Sequence, residues 1–343
     1  MTSPVGGPPE GAFVVGGRFG QDITEESAKH MMSNGVKTSF GKTQVAFKKE
    51  YNDVRDDHTK QITELRQEFD QMTIWGNSRT FTGRGTYRAS PGTIRAEVIM
   101  IGSGAGGGAG AWNAILGASS GGGGGGGGEN HFVIPGAALF EEDGTPKAIA
   151  IEIGEGGAGG QTTRANGWGG GNTSILDIIV GGGSGGSGAD AGGAGGAGGF
   201  GMIPGGDGGS MGWLETVGDN NYVSHPTTPG GSSISPYDMH GGGGGGGAGG
   251  TTNSAYSEGS KGGNGGVAPG GQYGRPDGSK PSALLPTGGG GGWGTNLSWG
   301  GSGGSGGFPG GGGGGGAAGR GSNSWSRGGP GANGIIWIIE HAS

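Results

Sequence analysis

Residues 175–200 read ILDIIV and then GGGSGGSGADAGGAGGAGGF. The first six have the apolar, β-branched make-up of a buried strand. Apart from Ala189, the rest place their non-glycine residues at Ser184, Ser187 and Asp190, then at Ala191, Ala194, Ala197 and Phe200. That is a period of three with one slip, between Asp190 and Ala191. A flexible linker has no reason to keep phase. An extended left-handed helix does, because three residues complete a turn and every third side chain falls on one edge.

The period explains the glycines. Two edges of such a helix carry no side chain, so other backbones can approach closely. The helix has no internal hydrogen bonds, so buried N–H and C=O groups must pair with neighbouring helices. Ordering the backbone costs roughly 1–2 kcal/mol per residue, with glycine at the expensive end. One tract alone stays disordered, whereas several in register can fold together. The chain has glycine-dominated tracts at 102–110, 121–128, 156–160, 181–199, 241–250, 288–294 and 300–316. From Trp299 the period repeats with Ser302, Ser305 and Phe308. Collagen is excluded, since 102 glycines in 343 residues come with only 16 prolines.

Composition bounds the remaining readings. At 29% hydrophobic residues the chain is too apolar-poor for the core of an ordinary 300-residue globule, so little conventional core is expected. A net charge of −7 argues against a nucleic-acid partner. There is no cysteine for disulfides or thiolate metal sites. No run reaches the ~18 apolar residues of a membrane span. The first residues, MTSPVGGPPEGAFVVGG, lack the basic and apolar regions of a secretory signal, so synthesis in a cytoplasm is expected.

Taken in order, residues 1–42 form a Pro/Gly-rich docking arm, or a frayed terminus, followed by a short helix from Thr24 to Asn34. Residues 43–75 contain no Gly or Pro and place Phe47, Tyr51, Val54, Ile62, Leu65, Phe69 and Met72 at spacings of 4, 3, 8, 3, 4 and 3. His58 bridges the eight-residue gap, so Tyr51 to Ile62 is an eleven-residue unit within the heptads. The pattern predicts a parallel coiled coil of about 30 residues, or ~45 Å, that oligomerises the chain; the competing reading is a surface helix. His58 on the seam fixes register or senses pH. Residues 76–93 read as a linker. The domain at 94–343 then contains strands at 94–101, 131–134, 148–153, 174–180 and 335–339, with the last closing a sheet begun by the first. The fold class expected is therefore mixed: helical arm, coiled coil, then a β-domain with bundled extended three-fold glycine helices.

No catalytic set emerges. IGSGAGG, residues 101–107, matches G-x-G-x-x-G but is followed by more glycine rather than a helix. His131, His225, His240 and His341 lack metal-ligand spacing, and Glu141, Glu142 and Asp143 read as a solvated turn. The chain is read as a non-enzyme without cofactor or metal. Two excursions, 210–240 and 251–287, are rich in aromatic and polar residues. They read either as recognition loops on a rigid scaffold or as connections that cap the bundle. In the first reading Trp213, Asp219, Asn220, Asn221, Tyr222, Tyr237, Asp238, Tyr256 and Tyr273 are the contact residues.

Several segments together, TEESAKHMM, AEVIMIGSGAGGG, AIAIEIGEGGAGG, GWGGGNTSILDIIVGGGSGG and PGANGIIWIIEH, resemble the glycine-rich minor tail proteins of actinobacterial siphophages. The polyglycine tracts also resemble those of tail-fibre adhesins that present receptor-binding loops. The resemblance implies a homotrimeric virion protein of the tail tip. It would dock other tail proteins through its N-terminal region and adsorb to a host envelope glycan or lipid-linked polymer. The alternatives are a tail-tip scaffold without receptor contact, or a non-viral extracellular glycine-rich structural protein.

Overall fold

The computed structural model describes residues 78–111, 119–189, 192–218, 221–235, 240–249, 259–272, 276–281, 287–294, 302–318 and 325–342, and between 213 and 224 the backbone only. The mixed fold class is corrected by it. Among the described residues the regular secondary structure is almost wholly β: two four-stranded antiparallel sheets and one two-stranded hairpin. The one α-helix among them is a single turn, α1 (Gly136–Leu139), so a helical arm and a coiled coil find no support. Residues 1–42 and 43–75, including Phe47, Tyr51, Val54, His58, Ile62, Leu65, Phe69 and Met72, lie outside the described residues.

The first sheet has the order β1 (Ser78–Phe81), β10 (Ile335–Ala342), β3 (Thr93–Ile101), β4 (Glu129–Pro135). The last strand of the chain does sit beside β3, pairing Ile335 with Ile101 and Ile339 with Glu97. The second sheet is β2 (Gly85–Tyr87), β5 (Ile149–Glu152), β6 (Thr173–Ile175), β7 (Ile178–Val180). Strands β1 and β2 occupy residues the sequence reading leaves as a linker. The single strand expected at 174–180 is two strands, split by a turn at Leu176, whose φ of 54° is the left-handed region.

The expectation of little conventional core is corrected too. Ala96, Val98, Met100, Ile134, Ile336 and Ile338 from the first sheet meet Tyr87, Ile149, Ile151, Ile175 and Val180 from the second, and Leu139 of α1 completes the cluster. At period two, alternate residues of β3 and β10 point the other way. There Ile99, Ile101, Ile335 and Trp337 form a second apolar cluster. The run IIWII is thus buried on both faces. At one edge the Tyr87 hydroxyl donates to Glu340 Oε1 at 2.9 Å, and Arg79 lies 5.8 Å above the Tyr87 ring.

The glycine tracts begin where the sandwich strands stop. Residue 102 follows β3, 128 precedes β4, 181 follows β7 and 334 precedes β10. Their hydrogen bonds recur every third residue. Along 102–111, Gly102, Ala105, Gly108 and Ala111 donate to Gly128, Gly125, Gly122 and Ser119. Ser103, Gly106 and Ala109 donate to Gly171, Trp168 and Ala165, and Gly104, Gly107 and Gly110 to Ala332, Gly329 and Ser326. The same tract accepts from 157–160, from 183–189 and from 313–316. Six neighbours surround it, alternately donor and acceptor. Residues 121–128, 242–248 and 310–316 are surrounded in the same way, which makes the region a hexagonally packed lattice of extended backbone. Most buried amides and carbonyls of these tracts are thereby paired backbone to backbone.

Packing explains why the inner tracts are close to pure glycine. A methyl built on Gly124, Gly125 or Gly126 would run into the carbonyl oxygen of Ala105, Ala197 or Gly242, respectively. All three edges are taken. Outer tracts have an edge free, and there the sequence shows side chains at every third place: Glu155, Ala158 and Gln161, or Arg327, Pro330 and Asn333, all exposed.

Candidate functional site

A lattice made of backbone presents chemistry only on its rim and at its turns. The rim carries a consistent solution to a local problem. An outer tract turns one third of its amides toward solvent, where no neighbouring carbonyl waits. Proline occupies some of these places and has no N–H to leave unpaired: Pro204, Pro229, Pro269, Pro276 and Pro330 are all exposed. Elsewhere a short side chain stands in for the missing carbonyl. Asn166 Oδ1 accepts from Gly188 at 2.7 Å, Asn172 from Gly182 at 3.1 Å and Asp207 from Gly198 at 2.8 Å. Asn333 does the same for Gly156 and Asp277 for Ser305, each at 2.8 Å. The sequence reading passed over these residues. Their signal is an Asn, Asp or Pro in phase with a glycine tract.

The turns at the lattice end away from the sandwich include the hairpin β8 (Trp213–Gly218) and β9 (Asn221–His225). It leaves a tract at Gly212, which donates to Ala248, and returns at Thr228, which donates to Ser210. The backbone pairs Trp213 with His225, Thr216 with Tyr222 and Gly218 with Asn221. Trp213, Asn221 and Tyr222 are thus brought onto one element. Asp219, Asn220, Tyr237, Asp238, Tyr256 and Tyr273 lie outside the described residues. The excursion 210–240 is not one loop. It doubles back as a tract at 228–233, whose Gly231 donates to Asp207 and accepts from Gly244. Ser233 and His240, which flank Tyr237 and Asp238 in sequence, meet at the sandwich end, with His240 Nδ1 3.1 Å from the Ser233 carbonyl.

Two groups of ionisable residues sit near the sandwich. Glu97 on the outer face of β3 faces His131 Nε2 at 2.6 Å and His341 Nε2 at 3.4 Å. Glu129 lies where lattice and sandwich join. Its N–H and C=O pair with Ile203 at 2.8 and 3.1 Å, and its β-ladder partner is Ile101. Its carboxyl is fully buried and neither oxygen has a hydrogen-bond partner. Burial pushes its pKa up from 4.5 to about 8, slightly offset by the His240 backbone, which faces it without meeting hydrogen-bond geometry. At neutral pH this group is an uncharged acid.

Among the described residues no group of three or more His, Asp or Glu is arranged to hold a metal ion. The amides of Gly102 to Gly107, which a phosphate-binding loop would need free, all donate to other tracts. Glu141–Asp143 lie in an exposed turn in which Asp143 Oδ1 accepts from the Thr145 N–H at 2.8 Å.

What the fold and rim define is a glycine-rich β-protein whose scaffold is peptide backbone. The sandwich and the lattice are also matched as one unit: a family model described as a glycine-rich domain covers residues 79–339, and the chain belongs to that family. A search of curated proteins finds no match.

Proposed function

We propose that this chain is a structural protein of a phage tail tip that touches the host envelope. The observation that carries the recognition half of the reading is the division of labour in the lattice. An interior made mainly of backbone holds the scaffold, while the Trp213–His225 hairpin stands at the end away from the sandwich. Recognition residues on turns of a rigid frame lose little freedom on binding. The tail-tip setting comes from the resemblance of the quoted segments to glycine-rich minor tail proteins. An envelope glycan suits aromatic and amide side chains, which stack on sugar rings and hydrogen-bond their hydroxyls.

The test is to replace Trp213 and Tyr222 together with Ala in the assembled particle and measure adsorption. Adsorption should fall at least tenfold with particle number unchanged. Normal adsorption by intact particles would leave the chain a scaffold without receptor contact.

A further inference from the structure

The residues 165–171 run along the outside of the lattice, and their amides point in three directions. Gly167 and Gly170 donate to Gly186 and Gly183, on one side. Trp168 and Gly171 donate to Ala158 and Glu155, on the other. From beneath, the inner tract 103–109 donates into Ala165, Trp168 and Gly171. In a three-fold extended chain the donor directions lie 120° apart, so the remaining amides, those of Asn166, Gly169 and Asn172, face outward. No described residue accepts from them. They recur at intervals of about 9 Å.

Side chains wall this row on both sides. Trp168 is 72% exposed. It leans over the 154–160 side, because Gly171, one step along the same edge, points at the Gly154–Glu155 backbone. On the opposite side Asn166 and Asn172 commit their Oδ1 atoms to Gly188 and Gly182. An amide whose oxygen is engaged has its two N–H donors left to offer. Gly169, on the floor between them, is not glycine for packing. A methyl there would lie 3.5 Å from the Gly183 carbonyl, an ordinary contact, whereas one on Gly167 would strike the Gly106 backbone. A glycine that its own fold does not require leaves room for something to approach the backbone.

We propose that this strip binds a short run of neutral pyranoses of a polysaccharide. The indole stacks on the C–H face of one ring. The amides of Asn166, Gly169 and Asn172, with the two Asn side-chain amides, donate to hydroxyl or acetamido oxygens. The outward amides and the two Asn side-chain amides are uncharged donors, and Glu155 is exposed alongside, so a neutral ligand fits better than an anion. A second glycine tract does not fit. It would lie in one of the two grooves flanking 165–171, and Trp168 fills one while Asn166 and Asn172 fill the other.

The inference rests on the recognition reading above but names a different surface from the hairpin. Its test is done in solution, on the purified full chain, with an array of immobilised neutral hexose and N-acetylhexosamine oligosaccharides. The wild-type chain should bind. Trp168→Ala and Gly169→Val should each weaken binding at least tenfold with thermal unfolding unchanged, the second variant keeping the indole and blocking only the floor. Equal binding by both variants would overturn the strip and leave the recognition reading standing. Absence of binding by the wild type would also overturn it, and the adsorption assay on Trp213 and Tyr222 then judges the recognition reading alone.

Discussion

Ile338 in the sandwich and Gly125 in the lattice are both fully enclosed, by opposite means. Ile338 is surrounded by other side chains of a two-sheet core. Those neighbours can repack, and the contact is non-directional. Gly125 donates to Ser184 and accepts from Ala105, directional bonds at a fixed spacing, and the Ala197 carbonyl closes the edge where a side chain would stand. The sandwich obtains specificity from side-chain shape, the lattice from the absence of side chains. A core of the first kind tolerates error by relaxing. The second has nothing that can rotate out of the way.

The largest effect expected follows from that contrast. Gly125→Ala places a methyl against the Ala197 carbonyl oxygen. It should cost more than ~4 kcal/mol, in the exceptional range for a single methyl. Ile338→Val, which removes one methyl from the sandwich, should cost about 0.5–1.5 kcal/mol. Denaturant midpoints of the two variants measure the difference. A Gly125→Ala midpoint equal to that of Ile338→Val would mean the lattice has slack, and the comparison would fail.

A second test falls where the two regions meet. Folded Glu129 keeps its proton up to about pH 8, whereas in the unfolded chain it titrates near 4.5. Between those values the folded state holds the extra proton. Its contribution is therefore fully present below about pH 4.5 and declines as pH rises, by up to ~1.4 kcal/mol per unit, levelling off above about pH 8. That slope opposes the usual acid lability of carboxylates. Unfolding free energies measured from pH 5 to 8 should show it in the wild type, and Glu129→Gln should flatten it. A wild type with no such decline would show that the carboxyl is not held neutral.

The smallest effect belongs to the rim. Asp207→Ala removes the acceptor for the Gly198 amide and leaves it to water, at a cost of about 1 kcal/mol. Asp207→Asn retains an acceptor oxygen and should restore most of it. If the Asn variant is no better than the Ala variant in thermal unfolding, the cap is not what Asp207 supplies.

Much of this was legible in the chain. Pure glycine at 121–128 marks a tract enclosed on every edge, and the phased Ser184 and Ser187 mark one with an edge to solvent. The run IIWII announced burial on both faces. Strands β1 and β2 were not legible, because SRTF and GTY are short and carry one or two core-facing residues each. The break at Leu176 was hidden because ILDIIV is apolar enough to read as one strand. The rim caps and Trp168 were overlooked for another reason: a single Asn or Trp among glycines has no pattern of its own until the neighbouring tracts are in place.

The period of the lattice also restricts how such a chain can change its length. One residue added to an inner tract would rotate every later position by a third of a turn. Amides aimed at one neighbour would then face another, and any side chain on the rim would be driven inward. Three residues added or removed leave each edge facing the neighbour it had, and shift the tract by one step of about 9 Å. Insertions out of phase belong at the turns. The one slip of phase in the 181–200 sequence comes directly before Gly192 and Gly193, whose φ values of 78° and 56° belong to a turn. A glycine-rich chain of this kind is therefore not free to drift like a spacer. It lengthens in units of three, as a screw advances by whole threads.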